Sequence, residues 1–213
     1  GLLAAGGALD PQWLLTAYRQ DIFPWYSPGV PILWWRPDPR LVLLPDELHI
    51  SRSLRKTLRR RHFELRVDSA FSAVIEACAA PRAPAAGTWI SAEMRAAYLA
   101  MHELGYAHSV ECWRDGRLVG GLYGMALGRV FFGESMFSVA TDASKVAFAH
   151  LVRFLRTQGY AIIDCQMKTA HLMSLGAREI TRQQFRDILD QHARAPQSLH
   201  RWSAASLADM DWN

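Results

Sequence analysis

The sequence predicts an α+β fold: a small N-terminal module over residues 1–40, then a domain over residues 41–213 with a mostly antiparallel sheet flanked by helices. Three observations carry this. Strand-like segments follow one another closely between residues 108 and 134, joined by hairpin-type turns. Segments with apolar residues at helical spacing lie before and after them. Five prolines between residues 24 and 39 (Pro24, Pro28, Pro31, Pro37, Pro39) remove backbone donors and fix φ, so that stretch is loop and short extended chain.

Asp10-Pro11 is a helix start, with the carboxylate as N-cap and proline in the first turn, and Leu14, Leu15 and Tyr18 follow at helical spacing. Ser51 or Ser53 caps a second helix through Arg61, its Leu54 and Leu58 inward and its basic residues outward. Phe63 to Val67 alternates as a strand, and Phe71, Val74, Ile75 and Cys78 mark another helix. Pro81 to Gly87 is an Ala/Pro-rich loop. Ser91 caps a helix carrying Met94, Ala97, Tyr98 and Met101, stopped by Gly105. The strands His108–Arg114, Leu118–Met125 and Arg129–Glu134 turn at Asp115-Gly116 and Leu127-Gly128. A helix from about Ala143 to Gln158 ends at Gly159, Ala161 to Cys165 is a short apolar strand, and Thr181-Arg182-Gln183-Gln184 is a capping box.

The chain has 213 residues, half of them hydrophobic. No apolar run approaches the roughly 18 residues of a membrane span, and no signal-peptide pattern opens the sequence. A chain beginning with Gly1 rather than Met is expected to lack its natural start or to have been processed. Its three cysteines, Cys78, Cys112 and Cys165, are isolated, which argues against a disulfide framework or a zinc ribbon and fits a reducing cytoplasm. The net charge is +4. Arg52, Arg55, Lys56, Arg59, Arg60 and Arg61 fall in one stretch without an acid; the remainder carries 18 basic and 20 acidic residues, a net −2. The basic character is one patch, suited to a polyanion or simply to a solvated helix face.

On a strand, Asp164 and Gln166 point one way and Ile163 and Cys165 the other. Asp164 reads either as a brace for the following loop or as half of a polar pair aimed at a substrate. Cys165, facing away, reads as a core thiol. Glu134, framed by Phe131, Phe132, Met136 and Phe137, needs a partner if it is buried. Of eight tryptophans, Trp25, Trp34, Trp35 and Trp89 are the best placed for exposure and for stacking a base, worth about 1–3 kcal/mol each. The histidines have no metal spacing, and no P-loop, GxGxxG or GxSxG motif is present.

Several segments then occur in a telling order: Gly1–Gly7 through Ile22-Phe23-Pro24-Trp25, Trp34–Arg40, His49–Ser53, Gly87–Ile90, His102–Gly105, Val119–Gly124, Gly133–Ser138, Ala143–Lys145, and Ile163–Gln166 with Ser174–Ala177. Over nearly its whole length the chain resembles the leucyl/phenylalanyl-tRNA–protein transferases. The resemblance implies a GNAT-like acyltransferase core. It implies transfer of Leu or Phe, and Met less well, from aminoacyl-tRNA to proteins with N-terminal Arg or Lys, marking them for N-end-rule degradation. It implies no metal and no cofactor, and a monomer in the cytoplasm away from membranes. Trp25 and Trp89 would organise the tRNA 3′ adenosine and the acceptor. Leu122, Phe131, Phe148, Leu151, Leu155 and Ile163 would line the donor side-chain pocket. Arg52, Arg55, Lys56, Arg59, Arg60 and Arg61 would hold the tRNA backbone.

By the same resemblance Asp164, Gln166 and Glu134 form the polar centre: Asp164 as general base or proton acceptor, Gln166 coupling it to the amine or placing the ester, Glu134 attracting the cationic N-terminus. Aminolysis of an ester is downhill, so the implied enzyme needs to deprotonate the amine and steady the oxyanion. The family commonly has Asn shortly after the position of Gln166; this chain has Thr169. Two alternatives stay open on sequence alone. One is a GNAT N-acetyltransferase, disfavoured because Ser138–Lys145 lacks the glycines that cradle CoA pyrophosphate. The other is a catalytically silent RNA-binding module.

Overall fold

The computed structural model describes residues 1–80, 88–203 and Trp212; the Ala/Pro-rich stretch from 81 to 87 lies outside them. Strand β1 (Leu2–Ala5) is followed by helix α1 (Pro11–Arg19), where Asp10 accepts the Trp13 N–H as N-cap. The proline-rich stretch supplies β2 (Phe23–Pro24) and β3 (Leu33–Trp35); β3 pairs with both β1 and β2 in a three-stranded sheet, order β1-β3-β2. Next come β4 (Arg40–Leu43), α2 (Arg52–Arg60, capped by Ser51), β5 (Glu64–Val67) and α3 (Phe71–Ala79). Helix α3 has no capping side chain of its own; Glu111 accepts the Ser69 and Ala70 N–H groups instead. Ser91 caps α4 (Ala92–Glu103).

The hairpins follow: β6 (Ala107–Arg114), β7 (Arg117–Leu127) and β8 (Val130–Ser138). Asp115 and Gly116 both take positive φ (51° and 71°), the geometry of the expected two-residue turn. The second turn uses Gly128 and Arg129, one residue later than expected. Helix α5 (Ala143–Thr157), β9 (Ile162–Gln166), α6 (Ala170–Ser174), β10 (Arg178–Ile180) and α7 (Arg182–His192, with the expected Thr181/Gln184 capping box) complete the chain. No helix among the described residues is long and apolar enough to cross a membrane.

The main sheet has seven strands in the order β10-β4-β9-β8-β7-β6-β5. Every pairing is antiparallel except β8 with β9, which the α5 crossover makes parallel. One face buries α2 and α5, with Leu54, Leu58, Phe148, Leu151 and Leu155 in a single core. The other buries α1, α3, α4 and α7 through Leu14, Tyr18, Ile75, Tyr98 and Phe185. The N-terminal strands join this second core through Phe23 and Trp34.

Strands β4 and β10, and helix α6, are additions to what the sequence patterns predict. They are three to five residues long, too short for a period to register. The placement of β4 matters most, because it brings Arg40 beside β9.

Candidate active site

The parallel ladder of β8 and β9 runs from Val130↔Ile162 through Phe131↔Ile163 to Phe132↔Asp164 and stops there. Beyond it the strands part, and a cavity of about 920 Å³ opens between Gly133–Val139 on one side and Cys165–Thr169 on the other. The gap connects the two faces of the sheet.

On the α5 face the walls are apolar. Leu122 from β7, Phe131 from β8, Phe148 and Leu151 from α5, and Ile163 from β9 line the recess with Met136 and Cys165. Gly124 lets the Phe131 ring lie flat against β7: a Cβ there would sit 2.6 Å from the ring and collide with the Phe132 carbonyl oxygen. Leu155, expected in this pocket, lies one turn beyond Leu151 and is wholly enclosed in the core, off the cavity wall.

On the opposite face sits Glu134, 8% exposed. The Tyr18 hydroxyl donates to Oε1 at 2.5 Å, the Tyr98 hydroxyl to Oε2 at 3.0 Å, and Gln166 Nε2 to Oε1 at 3.2 Å. The partners of this acid are therefore neutral donors, not an arginine. Burial disfavours the carboxylate and pushes the Glu134 pKa up to about 7, against the lowering by the two tyrosine hydrogen bonds. Burial beside this carboxylate likewise raises the pKa of Tyr18 and Tyr98 far above the ordinary tyrosine value, so both remain donors.

Asp164 lies beneath this group, not on the cavity wall. It is fully buried, and both oxygens are taken by Arg40: Nε to Oδ1 at 2.8 Å and Nη2 to Oδ2 at 2.7 Å. Arg40 also pairs with buried Asp21 at 3.1 Å and lies over the Phe23 and Phe185 rings at 4.7 and 4.9 Å. The Asp164 carboxylate has one further partner, the Gln166 backbone N–H at 2.9 Å. Gln166 itself has φ 61°, and Met167 N–H bonds back to the Cys165 carbonyl at 2.7 Å. This is a γ-turn of the rare positive-φ kind, a strained conformation held in place by its surroundings. It sends the Gln166 side chain to Glu134.

Trp25 and Trp89 stand on the same cavity. Trp25, 39% exposed, is braced edge-on by Trp35, whose Nε1 donates to the Trp25 carbonyl at 2.6 Å. Thr169 also lines the cavity and caps α6 through the Leu172 N–H. His171 lies nearby, its pKa lowered by burial and by Lys145.

All six basic residues from Arg52 to Arg61 are exposed, and none forms an ion pair among the described residues. Arg52, Arg55, Lys56, Arg59 and Arg60 edge a shallow cleft of about 370 Å³; Arg61 ends the helix in the left-handed region at φ 48°. Thr57 of the same helix donates to Asp142 at 3.4 Å, and Asp142 pairs with Lys145 at the start of α5. Ser144 beside it lines the cavity, so the basic helix adjoins the rim.

The profile of the leucyl/phenylalanyl-tRNA protein transferases matches residues 42–190, and that of their N-terminal domain matches residues 7–38. The chain belongs to this transferase family. Among its relatives, the leucyl/phenylalanyl-tRNA–protein transferase of Azoarcus sp. (strain BH72) is 65% identical over 213 residues, covering 100% of this chain and 91% of the relative. That of Nitrosomonas europaea is 63% identical over 202 residues, covering 95% and 86%. Among solved structures, L-PGS from Bacillus licheniformis aligns with a TM-score of 0.42 at 12% identity, over 76% of this chain and 52% of that one.

In this leucyl/phenylalanyl-tRNA–protein transferase family member, the fold gathers Trp25, Trp89, Leu122, Phe131, Glu134, Phe148, Leu151, Ile163 and Gln166 around one cavity. It leaves Asp164 and Leu155 outside the wall, and sets the basic helix at the rim. Sequence patterns missed Arg40, Tyr18 and Tyr98. The two tyrosines read as apolar positions of helices; the only available signal was that a buried tyrosine hydroxyl seeks a partner.

Proposed function

We propose that the chain transfers leucine or phenylalanine, and methionine less well, from aminoacyl-tRNA to the α-amino group of proteins beginning with Arg or Lys, marking them for N-end-rule degradation. One observation carries the reading: a single cavity joins an apolar recess, an aromatic mouth and a buried carboxylate held near neutrality. The recess of Leu122, Phe131, Phe148, Leu151 and Ile163 takes a side chain unbranched at Cβ, such as that of Leu, Met or Phe, and disfavours the β-branched Val and Ile. Trp25 and Trp89 stack the 3′ adenosine and flank the acceptor. The Arg52–Arg61 patch holds tRNA phosphates.

In the reaction the acceptor ammonium loses one proton to become an amine, its nitrogen attacks the ester carbon, the C–N bond forms, the nitrogen gives up a second proton, and the bond to the terminal ribose oxygen breaks. One of the two protons ends on that oxygen and the other passes to solvent. Glu134, with a pKa near 7, is the group we assign to hold the ammonium and receive the proton. Gln166 gives one amide N–H to Glu134 and has a second for the ester oxygen as charge develops. Asp164, expected to be the base, has both oxygens on Arg40; we assign it as a positioning residue that fixes the γ-turn under Gln166.

The same reading takes residues 41–213 as a GNAT-like catalytic domain behind a 1–40 module, supported by the parting of the parallel β8 and β9 after the α5 crossover. It has the enzyme act as a cytoplasmic monomer without a cofactor. The test is transfer read by mass spectrometry, with Phe-tRNA or Leu-tRNA and peptides beginning with Arg, Lys or Ala, and acetyl-CoA in a parallel tube. One Phe or Leu added to the Arg and Lys peptides alone is the expected result. Acetylation, or tRNA binding without transfer, would overturn it.

A further inference from the structure

The apolar recess ends one helical turn short of a second cavity. Leu151 lines the recess, and Phe154, three residues further along α5, lines a separate space of about 400 Å³. The two positions are about 5 Å apart along the helix axis. On the neighbouring strand Phe131 belongs to the recess, and Arg129, two residues earlier, to the second cavity. Recess and cavity therefore lie end to end on the α5 face of the sheet.

The partition between them is completed from outside the sheet. Trp202, in the strap 196–203 that follows α7, lines the second cavity. Its ring packs against Phe131 at a centroid distance of 6.0 Å and against Phe154 at 4.7 Å. The indole is firmly held: it stacks on His108 at 3.9 Å with an interplanar angle of 2°, and the Trp202 backbone N–H donates to Asp68 at 2.6 Å. Asp68 also bonds His108 Nδ1 at 2.8 Å, so one carboxylate fixes both members of the stack. Arg201 and Gln197 tie the strap to Glu103 and to the Ala126 carbonyl, at 2.8 and 3.1 Å. Phe131 itself has small neighbours on β7, Gly124 under its ring and Ala126 as its register partner. Such neighbours give a ring room to shift, and Trp202 is the bulky group that stops it.

We propose that Trp202 sets the depth of the donor recess by holding Phe131 in place from behind, and so decides how long a donor side chain the enzyme accepts. It is a positioning residue, touching Phe131 and not the substrate. This rests on the transfer reading above. Without the indole, Phe131 withdraws and the recess opens into the second cavity.

The test is Trp202→Ala against the wild-type protein, with one tRNA body charged with Leu, Phe or Trp and an Arg peptide as acceptor. The ratio of kcat/KM for the Trp donor to that for the Leu donor should rise about tenfold or more, with peptide KM unchanged. Trp202→Phe, which keeps a ring against Phe131, should hold close to the wild-type ratio. Trp202→Leu retains more packing than the Ala variant and should move the ratio in the same direction, which covers a failure of Trp202→Ala to fold. An unchanged ratio in the folded variant would overturn the proposal. So would an equal fall for all three donors, which would make Trp202 a part of the core and nothing more. If the wild-type protein transfers neither Leu nor Phe, the transfer reading falls and takes this inference with it.

Discussion

Asp164 and Arg40, 124 residues apart in the chain, meet in a two-point contact closed to solvent, with Nε and Nη2 each donating to its own carboxylate oxygen. A pair of this kind is destabilised strongly when one member goes, because the other is left charged and buried. Asp164→Asn should cost about 3–5 kcal/mol, and a thermal melt should read that as a midpoint lower by about 10 °C. Arg40→Lys should not substitute, since an ammonium lacks the planar fork. A variant at Asp164 that melts like the wild-type protein yet transfers nothing would return the residue to the chemistry.

Glu134 links stability to pH. Its pKa rises from 4.5 in the unfolded chain to about 7 in the folded one, so between those values the folded protein carries a proton that the unfolded chain has released. The unfolded state binds fewer protons there, and stability falls as pH rises from about 4.5 to 7. Above that window the contribution is constant. The loss is of order a few kcal/mol. Melting curves across the window should show the slope in the wild-type protein and a flatter profile in Glu134→Gln.

The same titration sets the rate. Ionised Glu134 is the form that can take a proton, so kcat/KM for the peptide should climb as pH passes about 7. Stopped-time transfer assays from pH 5.5 to 8.5 read it directly. A flat profile would remove Glu134 from proton transfer.

Leu151 faces the apolar recess from α5. Leu151→Phe should shorten the recess and lower Phe transfer more than Leu transfer, by about tenfold or more in the ratio of kcat/KM values. Competition between Phe-tRNA and Leu-tRNA in one tube measures that ratio without needing absolute rates.

Arg59, Arg60 and Arg61 close the basic helix. Replacing all three by Ala should weaken tRNA binding and reduce the slope of log affinity against log salt by about 2–3. Peptide KM should hold. An unaltered slope would make the patch a solvated face.

Helix starts were legible one by one, because each rests on a local hydrogen bond: Asp10, Ser51, Ser91 and Thr181 all cap as their sequence context implies. The central hairpins were legible for the same reason. Strand order was not, since the contact of β4 with β9 depends on closure of a long loop that no window of sequence contains. At the site, the residue types that do chemistry were visible in the motifs, and the structure gathers most of them. What was hidden is which carboxylate faces the cavity. Asp164 and Glu134 look alike in sequence, and only the arrival of Arg40 under one of them separates their environments.

The gap between β8 and β9 also dates the site within the life of the chain. Tyr18 reaches Tyr98 across 80 residues and Glu134 across 116, so both contacts wait on the closure of long stretches of chain. Long closures of this kind come late and slowly. A nascent protein thus displays its basic helix α2 well before the cavity between β8 and β9 exists. Recovery of transfer after denaturation is therefore expected to trail recovery of helix content, and the cavity serves as the timepiece of the whole fold.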